Sequence, residues 1–331
     1  MSQMPSTSSE FALIDRYFKR NGSCASHVTL GVGDDAAIVQ PAAGMQLLMS
    51  TDMLVSATHF FPDAEPEALG WKTLAVNVSD LAAMGATPRW ALLALALPTV
   101  DEDWIAAFAQ GLFACADAFG VELIGGDTTR GPLNFCVTIL GEAPVGQALL
   151  RSGARVGDDI WVSGQPGRAA LGLAHLQGRC ILREPARSEC LAALHRPQPR
   201  LSLGLALRGI ASAAIDVSDG LLADLGHILD ASAVAAEIQL SALPISISGS
   251  ELPELLIREC LLAGGDDYEL AFTVPAACRS QIESLSSTLS LALTRIGSIV
   301  AKEDKKILLI DAARQSVPYN RTGYDHFSER S

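Results

Sequence analysis

Five short runs of aspartate among Gly, Ser and Thr punctuate an otherwise apolar chain. They are Gly31-Val32-Gly33-Asp34-Asp35, Ser50-Thr51-Asp52, Asn77-Val78-Ser79-Asp80, Gly125-Gly126-Asp127-Thr128 and Asp216-Val217-Ser218-Asp219-Gly220. Carboxylates are costly in a core unless paired or hydrogen-bonded. They belong at turns, strand ends and exposed helix faces, so the apolar segments between them must supply the strands and helices. Clustered carboxylate and hydroxyl oxygens also suit hard divalent cations held against phosphate oxygens. No His or Cys accompanies them at metal-ligand spacing, which disfavours zinc and favours magnesium.

The chain has 331 residues, 49% of them hydrophobic, enough for two domains with sizeable cores. Its formal charge of -13 argues against general nucleic-acid binding, because the chain gains nothing from counterion release. The seven cysteines are scattered without a C-x-x-C and read as reduced core residues of a cytoplasmic protein. The first ten residues lack the pattern of a signal peptide. The longest strongly apolar run, Trp90 to Leu97, is far below membrane-spanning length, so no membrane partner is expected.

The pattern along the chain is one of alternating strands and helices, which predicts an α/β or α+β architecture. Leu47–Met49 and Met53–Val55 flank Ser50-Thr51-Asp52 as a strand with a polar break. Apolar positions predict a helix over 67–84, with Thr73, Asn77 and Asp80 aligned on another face and Gly85 to Pro88 as its stop. Ala91–Leu97 reads as a buried strand. Asp101 reads as the N-cap of a helix whose inner face is Trp104, Ile105, Phe108, Leu112, Cys115 and Phe119. Val121–Ile124 is a strand whose end carries Gly125-Gly126-Asp127, and Asn134–Leu140 is another. Gly and polar turns over 143–157 place a domain boundary near residue 148, giving domains 1–148 and 149–331. In the second, strands are expected at Asp159–Ser163 and Ala271–Val274. Ser218 is expected to cap a helix with Leu221, Leu222, Leu225, Ile228 and Leu229 on one face.

Taken singly, each acidic motif has an ordinary reading as a solvated turn or an exposed helix face. Gly31 to Ala36 formally fits G-x-G-x-x-A, but two carboxylates in that turn would repel a pyrophosphate without metals. Four such motifs between residues 31 and 128 together favour a magnesium–phosphate site. Gly164-Gln165-Pro166-Gly167, ahead of a helix, offers backbone N–H groups to phosphate. Arg130 and Arg151 are candidate phosphate clamps. There is no P-loop, no H-R-D or D-F-G, no G-x-S-x-G and no H-E-x-x-H.

These motifs resemble those of the thiamine-monophosphate kinases. The resemblance is carried by Gly33 to Ala37, Ser50-Thr51-Asp52 with His59, Asn77 to Ala86 and Gly125 to Gly131. Arg151 to Ala154, Asp216 to Leu221 and the tail Gly323 to Phe327 continue it. It implies a two-domain fold like that of aminoimidazole ribonucleotide synthetase, with an N-terminal sheet forming a homodimer interface. It also implies ATP and several Mg2+ ions in the N-terminal domain. By resemblance Asp34, Ser50, Thr51, Asp52, Asp80, Asp127, Asp216 and Asp219 hold metal. Gly126, Asp127, Arg151 and Ser218 touch nucleotide, and His59, Asp266 and Tyr324 touch thiamine monophosphate. The chain departs from the family pattern in having Gly265-Asp266-Asp267 for Gly-Gly-Glu-Asp, and Tyr324 where Trp is frequent.

The implied reaction is ATP-dependent phosphorylation of thiamine monophosphate by direct in-line transfer. It requires no side chain as catalytic base or nucleophile. The alternatives are another ATP-using enzyme of the same fold and a binding protein without catalysis. Selenophosphate synthetase would want a Cys-and-Lys segment near the N-terminus, and the hydrogenase-maturation relative a C-terminal Cys.

Overall fold

A computed structural model of the chain describes residues 10–20, 27–244, 252–302, 305–319 and 323–324. Two compact units emerge, one of Met1–Leu81 with Thr87–Gly146, the other of Ala82–Ala86 with Gln147–Ser331. A contiguous domain 1–148 therefore differs from the folded unit, since residues 82–86 cluster with the second one.

The first unit contains α1 (Glu10–Leu13) with a π-helical turn after it (Ile14–Phe18), β1 (Val28–Leu30), β2 (Ile38–Val39) and β3 (Met45–Val55). It continues with α2 (Pro66–Ala83), β4 (Thr87–Leu97), α3 (Glu102–Phe119), β5 (Glu122–Arg130) and β6 (Asn134–Pro144). Four strands form a sheet in the order β3-β6-β4-β5. β4 and β5 run parallel because α3 crosses between them, and the other pairs are antiparallel. The expected polar break in β3 does not exist. Its pairing with β6 is unbroken from Met45↔Pro144 to Val55↔Asn134. Alternation across the pleat, rather than a turn, accommodates Ser50, Thr51 and Asp52.

Asp101 caps α3 as expected, its carboxylate accepting from Trp104 N–H at 3.1 Å, and Gly120 ends the helix at φ 68°. Phe108 lies 4.6 Å from Phe135 between ring centroids, and Trp104 stacks on both rings. α2 is buried on every side from Trp71 through Ser79, polar residues included. Two glycines set its depth. A Cβ on Gly70 would lie 2.0 Å from Phe108 O, and one on Gly111 would lie 1.7 Å from Glu67 O. The backbones of α2 and α3 thus meet directly. Gly85, at φ 61°, stops α2.

The second unit contains β7 (Asp158–Ser163), α4 (Arg168–Leu176), α5 (Ala186–His195), α6 (Leu201–Leu207), β8 (Ala213–Val217) and α7 (Leu221–Ser232). It continues with β9 (Ala235–Gln239), α8 (Glu254–Ala263), β10 (Glu269–Pro275), α9 (Arg279–Leu289), β11 (Leu293–Val300) and β12 (Ile307–Ile310). Six strands are ordered β12-β9-β11-β7-β10-β8, with only the β12–β9 pair parallel. Every residue of β7 is buried because both faces are covered. Leu221, Leu222, Leu225, Ile228 and Leu229 of α7 pack with Ile160, Val162 and Ile215. Leu203, Leu207 and Ile282 pack with Trp161 and Phe272 on the opposite side. Among the described residues, no helix is long and apolar enough to cross a membrane.

Asp159 in β7 is 1% exposed and paired with two guanidiniums. Arg279 donates from Nε and Nη2, and Arg295 donates at 3.1 Å. Burial pushes the carboxyl up, but the two arginines outweigh it and hold it below the usual carboxylate range.

Gly111→Ala is expected to cost about 1–3 kcal/mol through overpacking, despite alanine's better helix propensity. A lowered urea midpoint at unchanged m-value checks this. Asp159→Asn is expected to cost about 2 kcal/mol at neutral pH. Because the folded carboxyl titrates below the unfolded one, its contribution is complete above the unfolded pKa of about 3.9 and disappears as pH falls through the lower folded value. The gap between parent and variant should therefore narrow in acid, as urea titrations at pH steps would show.

Candidate functional site

In the first unit the β3 pleat divides the acidic cluster between two faces. Ser50 and Asp52 lie with buried Leu54 toward α2, and Thr51 lies with Met49 and Met53 on the outer face. Ser50 Oγ donates to the half-buried Asp80 carboxylate of α2. The neighbouring Asn77 is fully buried and accepts from Asp52 N–H at 3.2 Å while donating to Thr73 O at 3.1 Å. Asn77 is therefore a strut between α2 and β3, Thr73 Oγ1 donates within α2 to Leu69 O at 2.8 Å, and Asp80 meets β3 through Ser50.

Across the sheet, Asp127 is in line with Ala94, Cys136 and Met53. That register puts it on the outer face with Thr51, opposite Asp52. β5 does not end at Gly125 but continues through Asp127 to Arg130. Gly126 allows this, since a Cβ there would lie 1.9 Å from Leu93 O. Asp34 is exposed in the turn between β1 and β2, and its Oδ1 accepts from Asp35 N–H at 2.9 Å. His59 closes the turn after β3, where its Nδ1 accepts from Val55 N–H at 2.9 Å. The neutral imidazole thus carries its proton on Nε2.

A cavity of about 370 Å³ in this unit, lined in part by Lys19, Arg20, His27 and Arg89, contains none of the expected site residues. Arg20 in it is paired with Asp117 and stacked over Phe113.

In the second unit, the loop from Ser218 to Gly220 joins β8, which carries Asp216 near its end, to α7. Ser218 is not the helix cap. Gly220 occupies that position at φ 132°, and Asp219 precedes the helix. The capping is done by Asp224, a residue the sequence reading missed. Its Oδ2 accepts from the N–H groups of Ser218, Asp219 and Gly220, each at 3.0 Å. Burial, and then the nearby Asp219 charge, push the Asp224 carboxyl up to about 7. The carbonyls of the same loop face other partners. Val217 O accepts from Tyr268 N–H and Ser218 O from Asp266 N–H, each at 2.8 Å, and Asp219 O accepts from Tyr324 N–H at 2.9 Å. The structure thus brings Asp216, Ser218, Asp219, Asp266 and Tyr324 together. Asp325, His326 and Phe327 of the tail motif, like Cys24, lie outside the described residues.

Arg151 is placed elsewhere. It is exposed, and its carbonyl accepts from Ser232 at the far end of α7. Twelve residues of helix put that anchor about 18 Å from the Ser218 loop.

The Gly164-Gln165-Pro166-Gly167 turn is not an open phosphate cradle. Asp267 fills it, accepting from Gly167 N–H at 2.5 Å and Ala169 N–H at 3.2 Å at the start of α4. Burial pushes the Asp267 carboxyl well up. Glu269 holds the same turn by accepting from Gln165 N–H at 3.3 Å, and it also accepts from Ser163 Oγ at 2.5 Å and from Arg200 at 2.6 and 2.5 Å. Within the acidic run 266–269, Asp267 and Glu269 are therefore committed to this turn and its surroundings, whereas Asp266 Oδ1 accepts from the Tyr268 hydroxyl at 3.0 Å.

Among the described residues no three His, Cys, Asp or Glu side chains converge tightly enough to hold a metal by themselves. No disulfide joins the six described cysteines. Burial pushes the Cys190 thiol to about 11 and the Cys260 thiol to about 12, so both stay protonated and are poor nucleophiles.

Residues 33–143 match the family described as AIR synthase related protein, N-terminal domain. Over 322 residues the chain is 46% identical to the thiamine-monophosphate kinase of Escherichia coli strain K12, covering 96% of this chain and 98% of that one. The chain belongs to the thiamine-monophosphate kinase family. A Bacillus subtilis member is 38% identical over 314 residues, covering 91% of this chain and 94% of that one. Among solved structures, the thiamine-monophosphate kinase of Stenotrophomonas maltophilia K279a superposes at a TM-score of 0.81 and 49% identity, over 86% of this chain and 91% of that one. AaThiL, solved in complex with AMPPCP and TMP, superposes at 0.74 with 30% identity over 87% of this chain and 89% of that one. The hydrogenase maturation protein HypE of E. coli, at 20% identity and a TM-score of 0.74, shares the fold over 95% of this chain and 96% of that one. Both the family resemblance and the mixed α/β fold class like that of aminoimidazole ribonucleotide synthetase are thereby borne out.

Proposed function

We propose that this chain transfers the γ-phosphoryl of ATP to the phosphate of thiamine monophosphate, giving thiamine diphosphate and ADP. The near full-length 46% identity to a named thiamine-monophosphate kinase carries the reading. The relative bound to AMPPCP, an ATP analogue, together with TMP supports both substrates. The chemistry agrees with the side chains. The acceptor phosphate has a second pKa of about 6 and is mostly dianionic at neutral pH, so it needs no base. The site residues include no activated nucleophile, and transfer without a phosphoenzyme follows.

The first unit is read as the ATP- and metal-binding part. The second adds nucleotide contacts through Arg151 and the Ser218 side chain, and substrate contacts through Asp266 and Tyr324. Ser50, Asp52 and Asp80 present hydroxyl and carboxylate oxygens side by side, with no nitrogen or sulfur ligand among them, a donor set that fits Mg2+. Within the first unit Asp34, Thr51 and Asp127, and within the second Asp216 and Asp219, are the other residues proposed to hold metal. Bound magnesium supplies relief of the repulsion between two approaching phosphate groups. His59, with Nδ1 committed to Val55, offers its Nε2–H to a phosphate oxygen. Tyr324 is 42% exposed and presents a ring for stacking on the substrate cation.

The chain is also read as a cytoplasmic homodimer. On the outer face of β3, Met49 is 68% exposed and Met53 53%, with Met45 and Leu47 also exposed beside them. A row of apolar side chains along a sheet face and edge is material for an interface, and a second copy of this face is the proposed cover.

Purified protein with ATP, Mg2+ and thiamine monophosphate should form thiamine diphosphate one-for-one with ADP, and free thiamine should not serve as acceptor. Asp52→Asn and Asp80→Asn should each lower turnover by about two orders of magnitude or more at an unchanged circular dichroism spectrum. Near-normal turnover of either at saturating Mg2+ would contradict the metal assignment. Met49→Lys should shift the sedimentation coefficient from dimer to monomer.

A further inference from the structure

The Ser218–Gly220 loop has its N–H groups and its carbonyls engaged on opposite sides. Three successive N–H groups converge on one oxygen of Asp224, each at 3.0 Å. Such a concave run of N–H groups ordinarily binds a phosphate or another anion. Here the protein's own carboxylate, 3% exposed, fills it. Peptide planes held this way point their carbonyls outward, and the Ser218 and Asp219 carbonyls receive the backbone N–H groups of Asp266 and Tyr324. Gly323 follows the same contour, since a Cβ there would lie 2.7 Å from Asp219 O. One short segment therefore carries Asp216 and Asp219 and also anchors Asp266 and Tyr324.

We infer that Asp224 is a positioning residue that makes metal holding and thiamine-phosphate binding a single coupled property of this loop. The inference rests on the kinase reading, which assigns Asp216 and Asp219 to metal and Asp266 and Tyr324 to substrate. Asp224 itself touches neither ligand. Its carboxylate fixes the peptide planes from beneath, so that loosening it releases both sets of side chains at once.

The test compares the parent chain with Asp224→Ala and Asp224→Asn. Asparagine keeps an acceptor oxygen in the same place and should rescue what alanine loses. In the ligand-free protein, amide exchange at Ser218, Asp219 and Gly220 should rise in Asp224→Ala and stay near parental in Asp224→Asn. The calorimetric Kd for thiamine monophosphate and the half-saturating Mg2+ concentration should both rise about tenfold or more in Asp224→Ala, as expected when three hydrogen bonds to a carboxylate are lost. If Asp224→Ala does not fold, Asp224→Glu, which displaces the oxygen by one methylene, carries the same expectation. A lowered Tm with both constants at parental values would show a purely structural role and overturn the inference, as would a change in only one of them. If the parent binds thiamine monophosphate and Mg2+ yet forms no thiamine diphosphate, the kinase reading falls while the two constants still decide the coupling. A parent that binds neither overturns both.

Discussion

Helix α2 can lie inside the first unit only because its backbone touches that of α3. Gly70 and Gly111 remove the side chains that would hold the helices apart. At that depth α2 is enclosed, and its polar residues must find partners within the protein. Asn77 does so by bonding Asp52 N–H and Thr73 O. Asp80, three residues further on, is thereby brought against β3 and Ser50. Two glycines far from any acidic motif thus set the spacing between carboxylates that belong to different elements.

The second unit solves a different problem, that of placing acids in an apolar interior. Four buried carboxylates there are matched to donors within the protein. Asp159 has two guanidiniums, Glu269 has Arg200 and Ser163, and Asp267 and Asp224 have backbone N–H groups at the starts of α4 and α7. Backbone donors lower the cost of burying a carboxylate without adding a side-chain cation, and they align the carboxylates with the positive ends of the helices.

Much of this was legible in the sequence. The apolar spacing of Leu221, Leu222, Leu225, Ile228 and Leu229 identified the buried face of α7, and α3 is bounded by the Asp101 carboxylate at one end and the left-handed backbone of Gly120 at the other. What misled was local. Ser50-Thr51-Asp52 looks like an interruption, but a strand with one face on a helix and one outward accepts polar residues on both. Gly125-Gly126 looks like a strand end, although here glycine marks close approach of two backbones within a sheet. Ser218 has the composition of a cap, but Asp224, a turn further on, reaches back and takes its place. Asp266, Asp267 and Glu269 are alike in sequence, and only the fold shows that two of them are committed to the Gly164 turn. Such distinctions depend on contacts between residues a hundred positions apart, which no local pattern encodes.

The filled helix starts of the second unit bear on which anions the protein can recognise. Both α4 and α7 begin with backbone N–H groups of the kind that elsewhere seize free phosphate or sulfate, and both are occupied by the chain's own acids. A bare oxyanion arriving there finds those N–H groups already bonded instead of an open cradle. Neither helix start therefore offers a free phosphate an open set of N–H donors.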